Sequence, residues 1–306
     1  MKLLFIGLGS IGRRHLLNIT SELETRGKEV TVDALRHDFT PLDDAVKAKL
    51  NHVYGRFDQL EAEYDAVFIT NPSSEHYGTL KQITGRAKAV FIEKPVFSDP
   101  LADIGSLRLK PDGIYYVACP LRFSPVIKRV ADLLTSYKPT AVRAICSSYL
   151  PEWRKTQNYS NSYSAHSDRG GGVRLDLIHE WDYLTELFGT PLSVKSEWGQ
   201  FSDLKIQSED TAVYIARYPD MLLTLHLDFS SRANRRSIEL ICENETIVAD
   251  IINNEIFYLN SKTGEKLPET DIHREEINRF LDLLDGKAEN INPIKKAVET
   301  LKLALA

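Results

Sequence analysis

The 306-residue sequence predicts an α/β protein in two parts: a parallel α/β domain, then an α+β domain on one large open, mostly antiparallel sheet. Its length suits about two domains at roughly 150 residues each. The first third alternates short apolar runs with helical patterns, which is typical of a parallel sheet. The second half carries closely spaced strand patterns without intervening helices, which favours antiparallel pairing. We place the two domains at residues 1–118 and 119–306.

The strands predicted in the first domain are short runs rich in β-branched and aromatic residues, as expected where helices cover both faces of a sheet. These strands are Leu3–Ile6, Val30–Leu35, Ala66–Thr70, Ala89–Glu93 and Ile114–Ala118. The helices predicted between them are Ile11–Thr25, Asp43–Leu50, Glu75–Gly85 and Pro100–Leu107.

The second domain begins with a predicted helix, Pro125–Leu134, and a strand, Val142–Leu150, before the long polar stretch Pro151–Arg169. A loop of that length inside a compact protein is usually functional. Gly172–Phe188 then predicts one continuous helix. The last predicted strands are Val194–Gln200, Thr211–Tyr218, Leu222–Phe229, Ser237–Cys242, Thr246–Ile251 and Ile256–Leu259, and the last helices are Glu275–Leu284 and Pro293–Leu303.

Charge, apolar run length and cysteine spacing argue against several classes of function. With 38 basic and 43 acidic side chains, the formal net charge of -5 gives no electrostatic reason to bind nucleic acid or an anionic membrane. No apolar run approaches the roughly 18 residues that cross a bilayer. Cys119, Cys146 and Cys242 are far apart and form no CxxC pair. They argue against a disulfide framework and a zinc site, and they favour a reducing cytoplasm.

A glycine motif directly follows the first predicted strand. Gly7-Leu8-Gly9-Ser10-Ile11-Gly12 is a GxGxxG sequence that opens a helix. In that setting the first glycine permits a tight turn, the second lets the backbone approach a pyrophosphate, and the third lets helix and strand pack closely. The motif therefore predicts a Rossmann dinucleotide-binding domain with these six residues at the cofactor.

The end of the second predicted strand bears on the choice of cofactor. Arg36 stands where NAD-specific enzymes usually place Asp or Glu, and His37 follows it. A guanidinium matches a 2′-phosphate in charge and geometry. We therefore predict NADP in preference to NAD, with Arg36 and His37 at the cofactor. The alternative is that Asp33 or Asp38 binds the ribose and Arg36 is a solvated loop charge.

Further motifs make the sequence similar to one family, the Gfo/Idh/MocA oxidoreductases, over essentially its whole length. This is the family of glucose–fructose oxidoreductase and myo-inositol dehydrogenase. In chain order the motifs are Gly7–Gly12, Thr70-Asn71-Pro72 with His76, Glu93-Lys94-Pro95, Arg122-Phe123 with Pro125, and Gly170-Gly171-Gly172 followed by Asp176, His179 and Asp182.

The resemblance implies roles for the first-domain motifs. Lys94 would reach both the nicotinamide and the reacting hydroxyl of the substrate, and Glu93 would help to hold the cofactor ribose. The implied cofactor contacts also include Thr70, Asn71, Pro72, His76 and Arg122, the last of which would lie at the substrate as well.

The resemblance also implies that Asp176 and His179 face the substrate from the helix after the triple glycine. Oxidation of a secondary alcohol needs a base for the hydroxyl proton, commonly His, and a nearby ammonium stabilises the developing alkoxide. We therefore predict Lys94, His179 and Asp176 as catalytic, with Asp176 orienting His179 or binding a sugar hydroxyl. The family commonly places His four residues after Asp, whereas the interval here is three. A spacing of three still puts both residues on one face of a continuous helix.

Aromatic and arginine side chains in the long polar stretch suit sugar recognition. We predict Trp153, Arg154 and Tyr163 at the substrate, although a surface loop that pairs with another subunit is the alternative. His15 has no such neighbours in the sequence, and we interpret it as a surface or packing residue. No second His or Cys lies at the spacing of metal ligands, so the sequence predicts no metal site.

The predicted function is hydride transfer between NADP or NAD and a secondary alcohol or ketone of a sugar, polyol or sugar derivative. One alternative is a redox-neutral sugar-modifying enzyme with a tightly bound cofactor. Another is a non-catalytic cofactor-sensing regulator. The resemblance implies that subunits pair through the second-domain sheet as a homodimer or homotetramer, and we expect no nucleic-acid or membrane partner.

Overall fold

A computed structural model describes residues 1–37, 40–153 and 158–306. These residues form two compact units, Met1–Ala118 with Asp271–Val298, and Cys119–Thr270 with Glu299–Ala306. The sequence alone predicts a single second domain over residues 119–306, whereas residues 271–298 belong to the first unit.

The first unit is built on a six-stranded sheet in which every neighbouring pair is parallel. Its strands are β1 (Lys2–Ile6), β2 (Thr31–Leu35), β3 (His52–Tyr54), β4 (Tyr64–Ile69), β5 (Ala87–Ile92) and β6 (Ile114–Val117). The spatial order β3-β2-β1-β4-β5-β6 is that of doubly wound dinucleotide-binding folds. Because the strand order reverses between β1 and β4, ligands of such folds bind at the carboxyl ends of these two strands.

The helices of the first unit are α1 (Ser10–Thr25), α2 (Asp44–Lys47), α3 (His76–Ile83) and α7 (Ile272–Leu284). α7 comes from the later segment and contacts α1. Its Phe280 is fully buried, with ring centroids 5.5 Å from Phe68 of β4 and 5.3 Å from Phe91 of β5. α7 therefore completes the aromatic core over the parallel sheet.

The second unit is built on an eight-stranded sheet. Its strands are β7 (Pro139–Tyr149), β8 (Ser193–Gly199), β9 (Thr211–Arg217), β10 (Leu222–Asp228), β11 (Ser230–Cys242), β12 (Thr246–Asp250), β13 (Glu255–Tyr258) and β14 (Thr263–Lys266). Their order is β14-β13-β12-β11-β7-β10-β9-β8. β7 and β10 are parallel, and the other neighbours in this order are antiparallel.

One face of this sheet is packed and the other is more open. Ala212, Tyr214 and Ala216 of β9 are buried, whereas Val213 and Ile215 between them are 37% and 47% exposed. The remaining helices are α4 (Pro125–Leu133), α5 (Val173–Asp176), α6 (His179–Phe188) and α8 (Ile294–Ala304), the last of which has residues in both units. α4 contacts β12, and α5 contacts β9 and β10.

The predicted fold class is confirmed, with local differences. The helix predicted over Pro100–Leu107 is a single 3₁₀ segment, Ile104–Leu107, whose start is capped by Asp103. β3 and β14 were not predicted, because both strands are short and largely exposed. Neither carries the alternation of apolar and polar residues that indicates a strand. None of the described helices combines the length and apolarity needed to cross a membrane.

Candidate active site

The turn between β1 and α1 packs directly on the carboxyl end of β4. Gly7 adopts a φ of +89°, which favours glycine. A Cβ on Gly12 would lie 2.6 Å from both the Gly7 carbonyl oxygen and Thr70 Oγ1. The Thr70 hydroxyl donates to that same carbonyl at 2.6 Å. Gly7, Gly12 and Thr70 therefore allow the start of α1 to pack closely against the carboxyl end of β4.

Gly9 has a different environment. A Cβ there would meet no atom within 4 Å, although Gly9 is the N-cap residue of α1. Among the described residues no side chain caps this helix start, and its first turn has no acidic residue. Because the first N–H groups of a helix attract anions, the turn fits the pyrophosphate of a dinucleotide. Leu8 is buried, so only its backbone can contribute, while Ser10 is exposed and Ile11 partly so.

Arg36 follows β2 directly, and its Nη2 donates to the Thr40 carbonyl at 2.8 Å. His37 beside it is exposed. Asp33 is 1% exposed and accepts hydrogen bonds from the Tyr64 hydroxyl and the His52 ring. These partners disfavour Asp33 as a ribose ligand. Asp38, the other alternative, lies outside the described residues.

The segment after β4 is tied to the segment after β5. His76 is 1% exposed, with Nε2 2.9 Å from the Asn71 carbonyl and Nδ1 2.9 Å from the Pro95 carbonyl. Burial lowers the pKa of His76, although both carbonyls act to raise it. The Asn71 amide donates to Glu75 and Thr79. The His76 ring thus links the backbone after β4 to the backbone after β5. Contacts of Asn71, Pro72 and His76 with a cofactor stay predictions.

Glu93 and Lys94 follow β5, and the Lys94–Pro95 peptide bond is cis. Glu93 Oε1 lies 2.5 Å from Nε2 of His15, and Oε2 accepts from the Lys94 amide at 3.1 Å. Burial opposes ionisation of Glu93, yet the hydrogen bond from His15 holds its pKa below the ordinary value. His15 was not predicted as a partner of Glu93. Its spacing of three from Gly12, on the buried face of α1, was the available signal.

Arg122 lies in the second unit and is anchored to α6. Its Nε and Nη2 donate to the two Asp182 oxygens at 2.9 and 2.7 Å, and its Nη1 donates to Glu186 at 2.7 Å. The side chain is 3% exposed. Burial disfavours the charged guanidinium, but these carboxylates raise the pKa of Arg122. The described contacts are structural, and a contact of Arg122 with cofactor or substrate stays a prediction.

The triple glycine packs against the segment that precedes it. The Tyr163 hydroxyl donates to the Gly170 carbonyl at 2.5 Å. A Cβ on Gly171 would lie 2.3 Å from the Tyr163 carbonyl oxygen, so no side chain fits there. These contacts hold Tyr163 against the glycines that directly precede α5.

Asp176 and His179 lie on two helices and not on one. α5 ends at Asp176 and α6 begins at His179, with Leu177 and Ile178 between them. The prediction of one helix over Gly172–Phe188 is therefore wrong, and Asp176 and His179 do not share the face of a single helix. Asp176 is 8% exposed and His179 is partly exposed.

A buried polar cluster fixes the start of α6. Glu180 is 0% exposed, accepts from the Tyr183 hydroxyl and pairs with Arg236 of β11 at 2.9 Å. Burial, followed by the Glu180 charge, raises the pKa of the neighbouring Cys146 to about 12. Glu180 follows His179 directly in sequence, so the cluster holds the first turn of α6, which carries His179.

Of the predicted sugar-binding residues, Trp153 is 41% exposed. Its indole N–H donates to Ser148 Oγ at 2.9 Å and its ring stands edge-on to Phe229. Arg154 lies outside the described residues. Within the described ranges, no group of three His, Cys, Asp or Glu side chains is arranged to hold a metal ion.

The two glycine environments predict opposite outcomes for the same substitution. Gly12→Ala should destabilise the protein by about 1–3 kcal/mol, because its Cβ meets backbone and Thr70. Gly9→Ala should leave the melting temperature within about 2 °C. It should weaken NADPH binding by about tenfold or more, or about 1.4 kcal/mol, because the methyl group occupies the open space before α1. Thermal unfolding and fluorescence titration of NADPH measure both effects. Unchanged NADPH affinity in Gly9→Ala would contradict a cofactor at this turn.

Comparisons with known proteins agree on a family. The model of an oxidoreductase family with an NAD-binding Rossmann fold, GFO_IDH_MocA, matches residues 1–107, and the GFO/IDH/MocA C-terminal domain matches residues 127–248. Together the two matches cover more than half of the chain. A search of curated proteins finds no match.

Solved structures share the fold at low identity. UDP-N-acetylglucosamine 3-dehydrogenase GnnA from Acidithiobacillus ferrooxidans is 20% identical, with a TM-score of 0.75 over 100% of this chain and 95% of that chain. The WlbA dehydrogenase from Bordetella pertussis, in complex with NADH and UDP-GlcNAcA, is 18% identical, with a TM-score of 0.81 over 100% and 94%. The myo-inositol 2-dehydrogenase from Lactobacillus plantarum is 17% identical, with a TM-score of 0.77 over 100% of this chain and 95% of that chain. On the evidence of the two family matches, the chain belongs to the Gfo/Idh/MocA family of oxidoreductases.

Proposed function

We propose that this protein transfers a hydride between NADP, or NAD, and a secondary alcohol or ketone of a sugar, polyol or sugar derivative. The observation that carries the proposal is the open helix start at Gly9, where α1 begins beside the reversal of strand order between β1 and β4. The names of three structural neighbours support the substrate class. GnnA is a UDP-N-acetylglucosamine 3-dehydrogenase, the WlbA dehydrogenase was found in complex with UDP-GlcNAcA, and the third is a myo-inositol 2-dehydrogenase.

Residues of the first unit would hold the cofactor. The backbone from Gly7 to Gly12 would take the pyrophosphate, and Arg36 with His37 would take a 2′-phosphate. The position of Arg36 directly after β2 supports NADP, and so does the burial of Asp33 among its own partners. The NADH found with WlbA belongs to that protein and keeps NAD as the alternative.

When bound, the nicotinamide supplies the acceptor or donor of the hydride. In the oxidising direction, Lys94 would stabilise negative charge on the substrate oxygen, since an ammonium placed there costs no reorganisation during the reaction. His179 would take the hydroxyl proton as general base. Asp176 would orient His179 or bind a sugar hydroxyl, and the exposed face of Trp153 offers a surface for a sugar ring. Tyr163 and Arg154 are proposed substrate contacts on the sequence argument alone.

Two alternatives keep the same cofactor site. A redox-neutral enzyme would oxidise a sugar transiently and reduce it again, so it would retain its cofactor through purification and turn over without added NADP or NAD. A cofactor-sensing regulator would need no catalytic side chains, and the presence of Lys94, Asp176 and His179 favours catalysis. A screen of sugars, sugar acids and nucleotide sugars for a change in NADPH absorbance identifies a net dehydrogenase or reductase. Where the absorbance stays constant, conversion of a sugar without added NADP or NAD identifies the redox-neutral enzyme, and binding without conversion identifies the regulator.

A reducing cytoplasm remains the proposed location. The three cysteines are free, and Cys119 and Cys146 are buried. Thiols that form no bridge suit a compartment in which thiols stay reduced.

Cofactor choice predicts the effect of one charge reversal. The wild type should bind NADPH more tightly than NADH, and Arg36→Asp should reduce that preference by about tenfold or more, because a charge-assisted hydrogen bond is lost. Arg56→Asp is the control, since Arg56 is an exposed arginine of the same unit that pairs with Asp58. Equal affinities in the wild type, or an unchanged ratio in Arg36→Asp, would exclude this basis for specificity.

Substitution of the proposed catalytic residues should separate chemistry from cofactor binding. With a substrate from the screen, Lys94→Ala should lower kcat on the order of 100-fold. His179→Ala should lower it by about 100- to 10,000-fold while NADPH affinity hardly changes. Lys88→Ala is the matched lysine control, because Lys88 lies on β5, the strand that Lys94 follows, and pairs with Asp65. Near wild-type turnover of His179→Ala from about pH 6 to 9, which brackets the ordinary histidine pKa of about 6.5, would rule out His179 as the base.

The open face of the second sheet predicts self-association. Apolar side chains such as Val213, Ile215 and Phe257 lie exposed on this sheet, and an exposed apolar face commonly marks an interface. We therefore propose a homodimer or a dimer of dimers. Light scattering should show one of these species for the wild type and a smaller species for Ile215→Asp. A wild type that is monomeric at all concentrations would refute the proposal.

A further inference from the structure

Glu93 is a buried carboxylate whose two oxygens both have partners inside the first unit. Oε1 meets Nε2 of His15 at 2.5 Å, and Oε2 accepts from the backbone N–H of Lys94 at 3.1 Å. The Glu93 side chain is 10% exposed and that of His15 is 0% exposed. The carboxylate is thus turned toward α1 and its own backbone, which leaves little of it for a ribose.

His15 is itself held in place by aromatic packing. Its ring stands edge-on to Phe91, 4.9 Å between centroids, and lies 6.3 Å from Phe68 and 5.9 Å from the ring of His273. Burial, together with repulsion by His15, lowers the pKa of His273 to about 4, so His273 stays neutral near pH 7. A neutral neighbour adds no second positive charge beside the His15–Glu93 pair.

The hydrogen bonds connect two parts of the proposed site that are far apart in sequence. His15 follows Gly12 by three residues on α1, the helix whose start would take the pyrophosphate. Lys94 follows β5, where it would act on the substrate oxygen. Glu93 bridges them, because one oxygen meets the helix and the other meets the Lys94 backbone.

We propose that His15 is a positioning residue of this oxidoreductase: its hydrogen bond to Glu93 fixes the Lys94 backbone relative to α1, and Glu93 serves as the bridge and not as a ribose ligand. The catalytic consequence rests on the proposed function of Lys94, whereas the link itself does not. The hydrogen bond needs only a proton on Nε2. A glutamine at position 15 can therefore replace the donor without a titratable ring.

The test uses the full-length protein and two readouts. The first is the amide resonance of Lys94 and its hydrogen exchange, followed by NMR in the wild type, His15→Ala, His15→Gln, Glu93→Ala and the double alanine variant. His15→Ala should move this resonance and speed its exchange by about tenfold or more. His15→Gln should restore much of the wild-type signal. His52→Ala is the control, because His52 pairs with Asp33 on β2 and β3, away from β5.

The second readout is turnover of a sugar identified by the screen. Misplacement of Lys94 should lower kcat about 10- to 100-fold in His15→Ala. The double alanine variant should be no slower than the slower single variant, because the two residues act as one unit. His15→Gln should recover most of the loss.

The outcomes separate the inference from the function. A Lys94 amide that stays at its wild-type position in His15→Ala overturns the link, and so do effects of His15→Ala and Glu93→Ala that multiply in the double variant. If the amide responds but the wild type turns over no sugar, the proposed function fails and the link stands. If His15→Ala does not fold, His15→Asn takes its place, since its shorter amide does not reach Glu93 and His15→Gln still provides the donor.

Discussion

The close approach of α1 to the carboxyl end of β4 is the constraint on which the first unit depends. There is no room for a Cβ at Gly12, and the Thr70 hydroxyl bonds the carbonyl of Gly7 across the contact. Because β1, β4 and β5 are parallel neighbours, their carboxyl ends lie at one edge of the sheet. The glycine turn, Thr70 and Glu93 therefore meet there, although the sequence separates them widely.

Much of this edge could be predicted from the sequence, because its signals are local. A GxGxxG motif directly after an apolar run specifies a strand, a turn and a helix. The predicted end of the fourth apolar run likewise places Lys94 at the carboxyl end of a parallel strand. The His15–Glu93 contact could not be predicted in this way. Its partners are 78 residues apart, and the spacing of His15 from Gly12 on α1 indicates burial but does not identify Glu93 as the partner.

In the second unit, buried ion pairs hold α6, and the local sequence pattern does not show where this helix begins. Leu177 and Ile178 continue the apolar pattern of a helix, yet the chain breaks there into α5 and α6. Glu180 pairs with Arg236, and Arg122 pairs with Asp182, so α6 is held by ionic contacts to two separate segments. A buried charge without its partner is costly, so these pairs hold α6 against both segments. An arginine near a binding motif looks the same in sequence whether it holds a ligand or a helix.

The first unit is assembled from two segments of the chain, and this has a consequence for biosynthesis. Phe280 of α7 covers Phe68, Phe91 and Tyr116, yet α7 follows the strands that carry these rings by more than 150 residues. As the chain leaves the ribosome, the parallel sheet must wait with its aromatic face uncovered until nearly the whole second unit has been synthesised. A nascent chain stalled before residue 271 would hold that apolar face open to chaperones and to aggregation.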